Sequence, residues 1–66
     1  MYSLVGVDGN AYALMGYTRQ AMKENGFSKE EIDAMLEEAK SGDYYHLIAV
    51  CDTWLDQVNK KLEDEE

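Results

Sequence analysis

The chain has no proline, one cysteine, one histidine, and only six basic residues against fourteen acidic ones in a length of 66. Each scarcity removes a class of protein. Without proline, no helix is interrupted by ring geometry. Cys51 has no second cysteine to pair with, so the disulfide framework that staples many small secreted domains cannot form within the chain. His46 and Cys51 together fall short of the four ligands of a structural zinc site. No apolar run approaches the roughly 18 residues of a membrane span. The first residues lack the basic region and cleavage site of a secretory signal. A lone thiol behind no such signal points to a reducing cytoplasm.

What remains is enough for one small domain, residues 1–66. A chain of this size buries only about 60% of its unfolded surface, so helix packing or self-association must supply its stability. A hydrophobic fraction of 45% supports a real core rather than a disordered chain. The net charge of −8 is unevenly spread. Asp8 and Glu24 balance Arg19 and Lys23 in residues 1–27, whereas residues 28–66 are strongly acidic. Such a field repels phosphate backbones and anionic membranes, so direct nucleic-acid or membrane binding is not expected.

The clearest local signal is FSKEEI, Phe27 to Ile32. Ser28 and Glu31 form a capping box, and Phe27 and Ile32 occupy the hydrophobic-staple positions. A helix over 29–40 follows, with Ile32, Met35, Leu36 and Ala39 on one stripe. Gly42 suits a left-handed C-cap. Asp43 then caps a third segment, about 43–62, whose stripe is Tyr44, Leu47, Ile48, Cys51, Leu55, Val58 and Leu62. Asp52, Asp56, Asn59 and Lys60 are expected to face outward, Trp54 to rim the core, and residues 63–66 to fray.

The opening stretch has two readings. Tyr2 to Val7 reads as a strand. Asp8-Gly9 is a hairpin signal that would make Ala11 to Met15 a second strand. Against this, Ala11, Leu14, Met15, Thr18, Ala21, Met22 and Asn25 recur at helical spacing, and Gly26 stands where a helix C-cap needs it. A helix over about 10–25, capped by Asp8 or Asn10, is favoured. Gly16 then leaves room for a close helix contact. The expected fold is mainly α: a short N-terminal strand or arm followed by three helices. A solitary strand has unpaired backbone groups. Leu4, Val5 and Val7 are therefore candidates for pairing with a second copy, which predicts a homodimer. The rival is an arm that packs by its side chains.

Few residues suggest chemistry. The Gly6–Asn10 loop resembles an anion-binding turn, but it lacks the lysine of a P-loop and has the wrong spacing for a dinucleotide fingerprint. Asp8 and Asn10 imitate the start of a calcium loop without its later glycine and glutamate. His46 and Cys51 are five apart and point to different helix faces, so no Cys–His nucleophile forms within one helix. Cys51 reads as a small core hydrophobe and His46 as a partly exposed surface group. Arg19 and Lys23 read as salt-bridge partners of the acidic second helix. No catalytic, metal or cofactor residue is assigned, and an enzyme is not expected. Tyr12, Tyr17, Tyr44, Tyr45 and Trp54 are more distinctive, because aromatics outside a core favour protein interfaces.

LVGVDGNAYALMG, AMKENGFSKEEID and AKSGDYYHLIAV together resemble a group of short uncharacterised proteins of bacteriophages and mobile elements of Gram-positive bacteria, over Leu4 to about Trp54. The resemblance implies a bacterial or phage accessory protein and carries no functional residues. The segment from Gly26 to Leu55 is superficially similar to the first helices of a ubiquitin-associated domain, a likeness of shape alone. The sequence thus leads to a small acidic, non-enzymatic protein-binding or regulatory protein. The alternatives are a nucleic-acid mimic that inhibits a DNA-handling protein, and a small-ligand binder acting through the 6–10 loop.

Overall fold

The computed structural model describes residues 1–65 and is mainly helical. Three helices, α1 (Ala11–Glu24), α2 (Lys29–Lys40) and α3 (Tyr44–Asp64), are joined by short turns. Connections this short make successive helices antiparallel neighbours. Each helix touches the other two.

Local chemistry explains the boundaries. Asn10 is the N-cap of α1, its side-chain oxygen accepting from the Tyr12 N–H at 2.8 Å. Asp8 accepts from the Asn10 N–H at 2.9 Å, so the Asp-Gly-Asn stretch is a helix entry and not a hairpin turn. Gly26, at φ +82°, provides the left-handed exit from α1. At α2 the capping box is complete. The Ser28 hydroxyl oxygen accepts from the Glu31 N–H at 3.1 Å, and the Glu31 carboxylate accepts from the Ser28 N–H at 3.0 Å. Asp43 caps α3 through the His46 N–H. That helix runs two residues past the expected end, so Glu63 and Asp64 are helical, while Glu66 lies outside the described residues.

The core is one cluster drawn from all three helices. Leu14, Met15 and Met22 from α1 meet Ile32, Met35 and Ala39 from α2, and Leu47, Val50, Cys51 and Val58 from α3. Met22, Met35, Cys51 and Val58 are fully buried. Thr18 is the only buried polar residue among those described. Its hydroxyl donates to the Leu14 carbonyl at 2.9 Å, which removes the cost of burying it.

Four expectations are corrected. The N-terminal strand is absent among the described residues. The Val7 N–H donates to the Leu4 carbonyl at 3.1 Å around Gly6 at φ +85°, a type II turn that an L-residue at Gly6 would strain. Leu4, Val5 and Val7 therefore do not form a strand for edge pairing. Leu4 and Val7 pack against the core, and Val5 is 90% exposed. The left-handed conformation expected at Gly42 is also absent among the described residues, since only Gly6 and Gly26 have positive φ there. Gly42 is needed for space instead: a Cβ there would sit 2.7 Å from the His46 ring. Gly16, expected at a close helix contact, is exposed with nothing near the position of a Cβ.

Asn59 is the fourth correction, and it explains how an arm without a strand partner is held. Its side-chain oxygen accepts from the Tyr2 N–H at 2.8 Å, and its amide donates to the Tyr2 carbonyl at 2.8 Å. One side chain of α3 thus satisfies both backbone groups that a neighbouring strand would have taken. Tyr2 is held further by edge-to-face contact with Tyr17 at 6.1 Å and by a hydrogen bond from the Asn25 amide at 3.2 Å.

Two outcomes follow. Asn59→Ala leaves both backbone groups of Tyr2 unpaired in a half-buried setting, and should destabilise the fold by about 1–3 kcal/mol in chemical denaturation. Hydrogen bonds from Ser28 hold the Glu31 carboxyl below its ordinary value of 4.5. A depressed carboxyl adds stability that is present above the unfolded value and lost as pH falls through the folded one. Denaturation midpoints from pH 6 down to pH 2 should therefore fall more steeply for the native sequence than for Glu31→Gln.

Candidate functional site

The five aromatic residues singled out in the sequence are not brought together as one surface. Tyr17 belongs to the arm, through Tyr2 and through its hydroxyl, which accepts from the Ser3 N–H at 3.3 Å. Trp54 is half-buried against the core and meets Phe27 edge-to-face at 6.3 Å. These two are structural. Tyr12, Tyr44 and Tyr45 do converge, at the end of the molecule where α1 and α3 begin and α2 stops.

The sequence produces this convergence through two N-caps. Asn10 and Asp43 start α1 and α3 at the same end, so Tyr12 and Tyr44 are both first-turn residues. The Tyr44 hydroxyl donates to the Gly9 carbonyl, which ties the α1 entry to α3. Tyr45 meets Tyr44 edge-to-face at 6.2 Å. Tyr12 and Tyr45 are each 80% exposed and Tyr44 is 43% exposed. Beside them lies an open groove of about 320 Å³, with Tyr12 and Tyr44 on its walls and Met15, Ala39 and Leu47 contributing apolar surface. Asp43 and Lys40 border it. Chemically this end offers apolar area with phenolic hydroxyls, bordered by one ammonium and one carboxylate.

His46, read as a surface group, is a clamp between helices. Its Nε2 donates to the Glu38 carbonyl at 2.8 Å, and lies 3.2 Å from the Ser41 hydroxyl. That carbonyl belongs to the last turn of α2, where backbone acceptors lack helical partners. The signal for this role was present in the sequence as glycine four residues before histidine, which lets the ring fold back over Gly42.

Cys51 lies far from this chemistry. Its thiol is fully buried and approaches the Leu14 carbonyl at 3.8 Å as a weak donor. Burial pushes the thiol up from its ordinary value, opposed by a hydrogen bond with Thr18. The 6–10 loop is likewise committed to structure. The oxygens of Asp8 and Asn10 that would meet a cation accept backbone N–H groups, and the Gly9 carbonyl is held by Tyr44. Among the described residues, no group of three or more metal-ligating side chains is clustered. No described helix is long and apolar enough to cross a membrane.

A second concavity lies toward the other end, between α1 and α2. It measures about 380 Å³ and is lined by Arg19, Lys23, Phe27, Lys29, Ile32 and Asp33. Arg19 and Lys23, expected to pair with acids of α2, form no ion pair among the described residues. No protein-family model, no curated protein and no solved structure matches the chain.

The buried thiol gives a measurable consequence. A raised thiol contributes stability in full below its unfolded value near 9.0, and that contribution is lost as pH rises further. Thermal midpoints between pH 8 and pH 11 should fall more steeply for the native sequence than for Cys51→Ala. The native thiol should also react with an aromatic disulfide reagent far more slowly than the urea-unfolded chain.

Proposed function

We propose that this is a small non-enzymatic binding protein that recognises another protein through the tyrosine end formed by Tyr12, Tyr44 and Tyr45. One observation carries the reading. Tyr12 and Tyr44 stand exposed on the walls of a groove, and Tyr45 stands exposed against Tyr44, although the core beneath is already closed without them. Tyrosine buries a large, rigid area at low entropic cost and brings a hydroxyl to the rim, which suits it to interfaces. We take the partner to be a different protein, because the strand that suggested pairing of two copies is not formed. Leu4 to Val7 form a turn, the preceding Tyr2 is bracketed by Asn59, and two chains of net charge −8 repel. The setting in keeping with the sequence resemblance is an accessory or regulatory role in the cytoplasm of a bacterial or phage-infected cell.

The test is affinity capture from bacterial lysate at low and moderate salt, compared with Tyr12→Ser/Tyr45→Ser. Both positions are exposed, so the variant should keep its helical circular dichroism while losing at least tenfold of the captured partner. A partner kept by that variant, but lost when Glu30, Glu37, Asp52 and Asp56 are neutralised to Gln and Asn, would instead identify the acidic face as the binding surface.

A further inference from the structure

We infer that the groove between α1 and α2 is a second docking site, for a short peptide segment in which carboxylates flank an apolar side chain. The inference stands on a different surface from the tyrosine end and does not depend on it. Arg19, Lys23 and Lys29 are three of the six basic residues of a chain with net charge −8, and they surround one groove. Arg19 and Lys23 are one helical turn apart on α1, and Lys29 opens α2 opposite them. All three are exposed, and Asp33 is the one carboxylate on the lining. Half-buried Phe27 supplies the apolar surface between them, with the buried Ile32 beneath.

Charge complementarity selects the occupant. An anionic group is needed to meet the three cations, and an apolar side chain to cover the exposed part of Phe27. The rest of the chain bears acidic charge, and screening limits charge interactions to about 8–10 Å at moderate salt. A short acidic segment stays within the favourable zone. A long polyanion such as nucleic acid would extend over the acidic surface and be repelled. A second copy of this chain would bring its own net charge of −8 against the groove.

The test uses a fluorescein-labelled, amidated peptide of pattern Gly-Glu-Asp-Leu-Phe-Glu-Asp-Gly, followed by anisotropy and by amide chemical shifts of the 15N-labelled full chain. Shifts should centre on Arg19, Lys23, Phe27, Lys29 and Ile32. Lys23→Gln should weaken binding at least threefold. Lys60→Gln removes the same charge from α3 and should leave it within twofold. Replacing Leu-Phe of the peptide by Ser-Ser should weaken it at least fivefold. Tyr12→Ser/Tyr45→Ser should bind the peptide unchanged, which separates this site from the tyrosine end. Equal losses for Lys23→Gln and Lys60→Gln, no effect of the Ser-Ser exchange, or shifts centred elsewhere would overturn the assignment. So would tighter binding of an eight-nucleotide oligothymidylate, or self-association that Lys23→Gln abolishes.

Discussion

The structure depends on α3 presenting one continuous apolar stripe to two shorter helices at once. Leu47, Val50, Cys51, Leu55 and Val58 are buried along its middle, and the other two helices supply the matching residues. In a chain of 66 residues no other element is long enough to organise a shared core. Net stability of a domain is only about 5–15 kcal/mol, and truncating one fully buried side chain such as Met22 costs about 2–5 kcal/mol. The polar devices at the helix ends therefore matter more here than in a larger protein. Each one attaches a loop to a helix that the core has already fixed.

Those attachments determine which surface remains for other molecules. The Asn59–Tyr2 bracket closes the backbone of the arm. His46 closes the last turn of α2, and Lys61 donates to the Asn25 carbonyl while lying 5.3 Å from the centre of the Phe27 ring. With these polar groups satisfied internally, an otherwise acidic surface carries exposed tyrosines at one end and a cluster of bases near the other. The two ends differ because the N-caps of α1 and α3 gather first-turn tyrosines, whereas the α1–α2 connection gathers bases.

Most of the helical architecture was legible in the sequence because it is written in local signals. Ser28 with Glu31, Asp43 and Asn10 mark helix starts by hydrogen bonds to residues two or three positions away. The periodic stripes identify the buried faces for the same reason. What was not legible depends on residues far apart. Tyr2 to Val7 has the composition of a strand, and nothing near it reveals that Asn59, 57 positions away, takes the place of a strand neighbour. Gly42 looked like a conformational glycine because it follows a helix, yet its role is to make room for His46. Of the aromatic candidates, Tyr12, Tyr44 and Tyr45 came together because first-turn positions of parallel helices share an end. Tyr17 and Trp54 are claimed by the arm and by Phe27, and no local pattern distinguishes them.

The Asn59 bracket has a consequence for how the molecule comes apart. It links the second residue to the last third of α3, closing a loop over nearly the whole chain. Closing so long a loop is entropically disfavoured until the helices have already brought its ends together. The bracket is thus expected among the late contacts of folding. Interactions of that kind set the lifetime of the native state rather than the speed of reaching it. A chain with a small core gains persistence from one amide side chain, with little change in how fast it folds.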